Sequence, residues 1–105
     1  MSKDVTLRAA KNVRPVAKFD LGRLIMTGSI HQLMMIHELN PLYYVGCHLT
    51  GNWGEVEQED KERNEEALLK GGQLISEYNV LDPAVRIRIT TEADRSCTTV
   101  SLPSD

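Results

Sequence analysis

The spacing of apolar positions changes period twice along the chain. From residue 16 to 27, VAKFDLGRLIMT opens in partial alternation and becomes continuously apolar at Leu24, Ile25 and Met26, the pattern of a strand entering a core. Gly22 inside it marks a bulge or a close backbone approach. After Gly28 the period lengthens. Ser29 and Gln32 have the spacing of a capping box, in which two orphan donors of a helix start are satisfied reciprocally. Ile30, Leu33, Met34 and His37 follow at i, i+3, i+4 and i+7, and Ile36 and Leu39 widen the stripe. A helix over 30–39, buried around much of its girth and carrying His37 as a core histidine, is predicted. Asn40 and Pro41 suit the cap and first position of a second short helix, whose apolar face is Leu42, Val45 and Leu49. TGNWG, residues 50–54, ends it.

Residues 56–70 are helical again and stop at Gly71 and Gly72. Only the face formed by Val56, Asp60, Asn64, Ala67, Leu68 and Gly71 has apolar content. Asp60 and Asn64 therefore turn toward the packed side, where a polar group without a partner costs about 1 to 3 kcal/mol. From there the period is two. Leu74, Ser76, Tyr78 and Val80 share one face; LDPA forms a turn; Val85, Ile87 and Ile89 point inward with Arg86 and Arg88 outward; Thr98, Val100 and Leu102 share the face of a last strand. These runs predict a C-terminal β-meander with one wet side. With the first strand as an added member, the expected fold is α+β: an antiparallel three- to four-stranded sheet packed on one face by three short helices. EADRS, residues 92–96, then falls in the second hairpin loop.

Composition narrows the picture. A chain of 105 residues has material for one core, here residues 16–105 behind a flexible basic segment, 1–15. The net charge of -3 is unevenly spread. Lys3, Arg8, Lys11, Arg14 and Lys18 face only Asp4 at the start, whereas Glu55, Glu57, Glu59, Asp60, Glu62, Glu65 and Glu66 crowd the middle. Acidic residues in the first turns of a helix are favoured by its dipole. The acidic total and the lack of interleaved aromatics argue against a nucleic-acid partner. Cys47, on a helix, and Cys97, on a strand, make neither a disulfide scaffold nor a CxxC zinc frame. No apolar run approaches the roughly 20 residues a membrane helix needs, and no signal-peptide core is present; the expected compartment is the cytoplasm.

Candidate chemistry is sparse. His31 and His37 are six apart and His48 stands alone beside Cys47, so no metal-ligand frame forms. GxSxG, GxxxxGK[ST] and GxGxxG are missing, and no cofactor is expected. The catalytic candidates are His48, which precedes the TGNWG loop, and Glu92, Asp94 and Arg95. The last three are either a charged site or a turn in which Asp94 caps the backbone and Arg95 pairs with a nearby acid. Trp53, between Gly51 and Gly54, either folds back as a lid on the core or stands out as an interface anchor.

Two strings, TGNWGEVEQEDKERNEEALLKGGQLISEY and ITTEADRSCTTVSLP, resemble a family of small bacterial proteins carried by plasmids and integrative elements. The resemblance spans residues 19–103 and rests on Gly51, Trp53, Gly54, Glu59, Asp60, Asn64, Ala67, Leu68 and Gly71, then on Ile89, Thr91, Glu92, Ala93, Asp94, Arg95, Thr98, Thr99, Leu102 and Pro103. Such proteins carry loose labels such as plasmid-related protein or type I restriction subunit; a chain this short has no room for a methyltransferase or a DNA-reading subunit. Asn52 stands where the pattern has Asp. The resemblance implies a mobile-element setting, where small proteins act by binding. Two functions follow. One is a protein-binding module, such as an inhibitor of a host defence nuclease of the restriction or CRISPR kind, that uses Trp53, Glu57, Glu59, Asp60, Glu62, Asn64 and Glu66 as its binding surface. The other is a small enzyme or ligand-binding protein whose site joins the TGNWG loop, Asn64 and the EADR loop. A protein partner is expected, a membrane is not, and an exposed strand edge offers a route to a homodimer.

Overall fold

The computed structural model describes residues 16–81 and 85–105. The N-terminal segment 1–15, expected to be flexible, and residues 82–84 of the LDPA turn lie outside the described residues. Seven elements follow one another: β1 (Arg23–Met26), α1 (Gly28–Ile36), α2 (Pro41–Leu49), α3 (Gln58–Lys70), β2 (Leu74–Leu81), β3 (Val85–Thr91) and β4 (Cys97–Ser101). The fold is α+β, with three helices and one four-stranded sheet in the order β1-β4-β3-β2.

The meander forms as the alternation predicts. β2 pairs antiparallel with β3, and β3 with β4, in registers that put Ser76 opposite Ile89 and Ile89 opposite Val100. Leu74, Ser76, Tyr78, Ile87, Ile89, Thr91, Thr98 and Val100 are buried on the helical side. Alternation in β2 ends at a register shift between Asn79 and Leu81. The sheet is not purely antiparallel, however: β1 runs parallel to β4, with Arg23 beside Cys97 and Met26 beside Val100. Gly22 shows why the strand starts there. Its φ is +65°, and a Cβ on it would lie 2.3 Å from the Ser96 carbonyl oxygen, so only glycine lets the chain approach the β3–β4 loop closely enough to enter beside β4. The strand is also shorter than the 16–27 expected; Phe19 leaves it and packs beside the His48 and Trp53 rings at centroid distances of 5.2 and 6.4 Å.

The helices differ from expectation mainly at their ends. Thr27, not Ser29, caps α1, accepting from the Ile30 N–H at 3.4 Å; the Ser29 hydroxyl donates instead to the Asp105 carboxylate at 3.0 Å. The helix stops at Ile36 and buries one face through Ile30 and Met34, leaving Met35, Ile36 and His37 exposed. His37 is therefore a surface C-cap residue and not a core histidine. Apolar residues here outnumber the contacts one face can offer. α2 begins as its sequence suggests, with Asn40 Oδ1 accepting from the Leu42 N–H at 3.0 Å and Pro41 in the first turn.

α3 lies along the free edge of β2 rather than over the sheet. Asn64 reaches that edge with both ends of its amide: Nδ2 donates to the Ile75 carbonyl at 2.8 Å and Oδ1 accepts from the Ile75 N–H at 3.0 Å. The side chain substitutes for one residue of a missing strand. Two residues further along, Glu77 N–H donates to the Trp53 carbonyl and the Glu77 carbonyl accepts from Glu55 N–H. The segment around Gly54 thus forms a short parallel bridge to β2. Two main cores result: Ile30, Met34, Val45, Tyr78, Ile87, Ile89 and Val100 beneath α1 and α2, and Trp53, Ala67 and Leu74 beside α3.

Candidate functional site

The residues singled out for chemistry are drawn into three polar networks. The first is centred on His48. Alternation places Ser76, Thr91 and Thr98 at inward positions of three neighbouring strands, and α2 lays His48 across them. His48 Nδ1 lies 2.6 Å from Ser76 Oγ and Nε2 lies 2.9 Å from Thr91 Oγ1. Thr91 and Thr98 hydroxyls are 2.7 Å apart, and Thr98 donates to the Leu21 carbonyl at 2.8 Å. Each hydroxyl has one proton to give. Since Thr98 spends its proton on Leu21, Thr91 must donate to Thr98 and can only accept from His48. The ring is thereby fixed as the Nε2–H tautomer, with Nδ1 accepting from Ser76. All four side chains are completely buried. Burial, with a smaller contribution from the positive charge of Arg95, lowers the His48 pKa to about 4. A neutral imidazole beside a serine hydroxyl resembles a base and nucleophile, but this serine has no exposed surface to meet a substrate.

The second network answers what the EADR segment does. Asp94 Oδ1 accepts from the Ser96 N–H at 2.9 Å, and hydrogen bonds from the Ser96 hydroxyl and backbone hold its carboxyl below the ordinary carboxylate range. Asp94 thus caps the turn as expected. Arg95 does not pair with an acid. Its guanidinium donates to the carbonyls of Gly72 at 2.7 Å, Glu92 at 3.0 Å, Ala93 at 3.1 Å and Ala67 at 3.1 Å, and lies 5.9 Å from the centre of the Phe19 ring. The Ala67 carbonyl, which also accepts from the Gly71 N–H, and the Gly72 carbonyl just past the helix lie at the negative end of the α3 dipole. Arg95, at a left-handed φ of 62°, joins that end to the β3–β4 loop. Glu92 accepts from Gln73 Nε2 at 3.3 Å.

Trp53 belongs to neither network, but it is a lid on the core and not an exposed anchor: it is only 4% exposed, and its Nε1 donates to Glu65 at 2.8 Å. Its loop is tied down by the Tyr78 hydroxyl, which donates to the Asn52 carbonyl, and by Asn52 Oδ1, which accepts from the Gly54 N–H at 3.2 Å. Burial pushes the Tyr78 phenol up.

A third group of charges includes Asp60, one of the anticipated binding residues, but its basic members were not foreseen as part of a site. A cavity of about 210 Å³ opens between the first turns of α3 and the outer face of β2 and β3, lined in part by Asp60, Arg63, Glu77, Arg86 and Arg88. Five of its charges are already paired, Arg63 with Asp60 at 2.6 Å, and Glu77 with Arg86 at 3.2 Å and Arg88 at 2.7 Å, while Glu55 and Glu57 also line it. The advance signs were the outward placement of Arg86 and Arg88 and the position of Asp60 on the packed side of α3; that Glu77 stands beside the two arginines follows from the strand register.

What is left facing solvent is the far side of α3. Glu57, Glu59, Glu62 and Glu66 are exposed, whereas Asp60 is half-buried and Asn64 is buried. Glu59, Glu62, Glu66 and Leu69 fall within one helical stripe at i, i+3, i+7 and i+10, and Leu69 at its end is 86% exposed. Of the anticipated binding residues, then, the structure groups Glu59, Glu62 and Glu66 on one surface and turns Trp53 and Asn64 inward. Leu69 was missed because, although the helical spacing put Leu68 and not Leu69 on the packed face, a single leucine outside that face gives no sign of a surface role. Among the described residues no helix is long and apolar enough to cross a membrane. No family model matches the chain, and comparison with curated proteins and with solved structures likewise finds no match.

Proposed function

We propose that the protein works by binding a protein partner through the solvent face of α3, without catalysing a reaction. The observation that carries this reading is the stripe Glu59, Glu62, Glu66 and Leu69, which presents carboxylates over roughly 10 Å of helix and ends on an almost fully exposed leucine. A structural role for α3 needs only its other face, which holds Asn64 and Ala67. Exposed charges mainly steer association and contribute modestly to affinity. Leu69 supplies the apolar contact that a lasting complex requires. The complementary surface is basic with a small apolar recess, the chemistry of a groove that otherwise holds nucleic acid. An inhibitor of a host defence nuclease fits that description and fits the mobile-element setting implied by the sequence resemblance.

The alternative, an enzyme or ligand-binding protein with a site formed by the TGNWG loop, Asn64 and the EADR loop, has less support. His48, Asn64 and Arg95 spend their polar atoms on Ser76 and Thr91, on Ile75, and on four main-chain carbonyls. Capture of partners from the host with wild-type protein and with a Glu59→Lys, Glu62→Lys double variant tests the proposal. A partner held by the wild type should be lost on charge reversal, released by salt, and weakened by Leu69→Ala. An unchanged set of partners defeats it.

A further inference from the structure

The two edges of the sheet are treated differently. On the β2 edge the outward groups of Ile75 and Glu77 are taken by the Asn64 amide and by the bridge at Gly54. On the β1 edge, Arg23 and Thr27 donate inward to the Ser96 and Val100 carbonyls at 3.0 and 3.1 Å. In a parallel ladder alternate residues point the other way, so the N–H and C=O groups of Leu24 and Met26 face outward. Among the described residues no segment pairs with them. This strand also lacks the devices that usually blunt an edge: it has no proline and no lysine, and its sequence after Arg23 is Leu-Ile-Met.

We propose that β1 pairs with β1 of a second copy, antiparallel about a two-fold axis at Ile25. The outward groups of Leu24 and Met26 are placed symmetrically about Ile25. Leu24 of one copy then exchanges two hydrogen bonds with Met26 of the other, and Met26 does the same with Leu24, so all eight outward groups are satisfied at once. A self-complementary patch of this kind is what a two-fold dimer needs. The charges agree: Arg23, the only charge on the strand, comes opposite Thr27 of the second copy, and the two arginines are held at opposite ends. The flank is apolar as well. Ile25 and Met26 are 36% and 40% exposed. Met26 continues into a groove shared with Met34, Met35, Leu39 and Pro41. A pairing of residues 23–27 alone buries less than the roughly 800 Å² per partner typical of tight complexes, so the dimer is a weak one that forms with rising concentration.

Sedimentation of the full-length chain over roughly 1 to 500 µM measures it. The wild type should pass from monomer to dimer. Ile25→Lys and Ile25→Glu each place like charges on facing residues whose Cα atoms are about 4.5 Å apart, and each should weaken association at least about tenfold. An equimolar mixture of the two should restore it, because the facing charges are then opposite. Amide exchange needs no variant: the Leu24 and Met26 amides should gain protection as wild-type concentration rises. A wild type that stays monomeric, a dimer indifferent to both variants, a mixture that does not recover, or exchange at Leu24 and Met26 that ignores concentration overturns the proposal. Residues 1–15 or another protein lying on this edge would give the first of those results. The α3 surface proposed to bind a partner is at the other edge, so the two proposals fail separately.

Discussion

Acidification should destabilise this protein over a window set by His48. In the fold the imidazole accepts from Ser76 and donates to Thr91, and a second ring proton would force the Ser76 hydroxyl to turn its own proton away and would place a charge in a fully buried site. Its pKa falls from 6.5 to about 4 for that burial and for the nearby charge of Arg95. Above pH 6.5 the ring is neutral folded or unfolded, and the full stability is present. Between 6.5 and 4 the unfolded chain takes up a proton that the folded chain refuses, so stability falls as pH falls. Below about 4 both states are protonated and this contribution to the slope ends. At about 1.4 kcal/mol per pH unit, the loss across the window is about 3 kcal/mol. That is a large share of the 5 to 15 kcal/mol typical of a domain. Urea unfolding at half-unit steps from pH 7.5 to about pH 4 measures the slope. Asp94 and Asp105, whose carboxyls are held low by hydrogen bonds, add a loss of the same sign at the acid end as they protonate. The quantity to compare is therefore the difference between wild type and His48→Gln. The variant should start less stable, having lost a fitted ring and its hydrogen bonds, and should show a flatter profile between pH 6.5 and 4.5. Parallel profiles would refute the assignment of a buried, neutral His48.

Asn64→Leu should cost about 2 to 3 kcal/mol in chemical unfolding, because it leaves the Ile75 N–H and carbonyl without partners, and it should raise aggregation by opening the β2 edge. Asn64→Asp keeps the acceptor and should recover part of that loss. Arg95→Ala should cost about 2 kcal/mol and fray the end of α3, visible as faster amide exchange at Lys70 and Gly71, since the Ala67 and Gly72 carbonyls lose their shared donor. No change in either measurement would mean that the guanidinium contacts are incidental.

How much of this was legible in the sequence depends on the range of the interaction. Strand faces in the meander follow from period-two alternation, and Asn40-Pro41 announces its helix because cap and first turn are adjacent. The buried side of α3 was also readable, down to the need for a partner at Asn64. That the partner is a strand edge was not, since main-chain acceptors leave no trace in composition. The same holds for Arg95, whose four acceptors are carbonyls. The role of His48 depends on Ser76 and Thr91, 28 and 43 residues away. Nothing in the periodicity of β1 indicates its direction relative to β4. That follows from the path of the whole intervening chain, with Gly22 permitting the final approach. Ile36 shows the limit of an apolar stripe: it extends the pattern of α1 but is 72% exposed.

The amide of Asn64 also bears on how large an assembly can become. A sheet whose two rims both accepted strands would add molecules without end, and a fibre would follow. Here Ile75 and Glu77 on one rim are already taken by the molecule's own helix and loop, so pairing of the other rims as proposed would leave a third copy little to join.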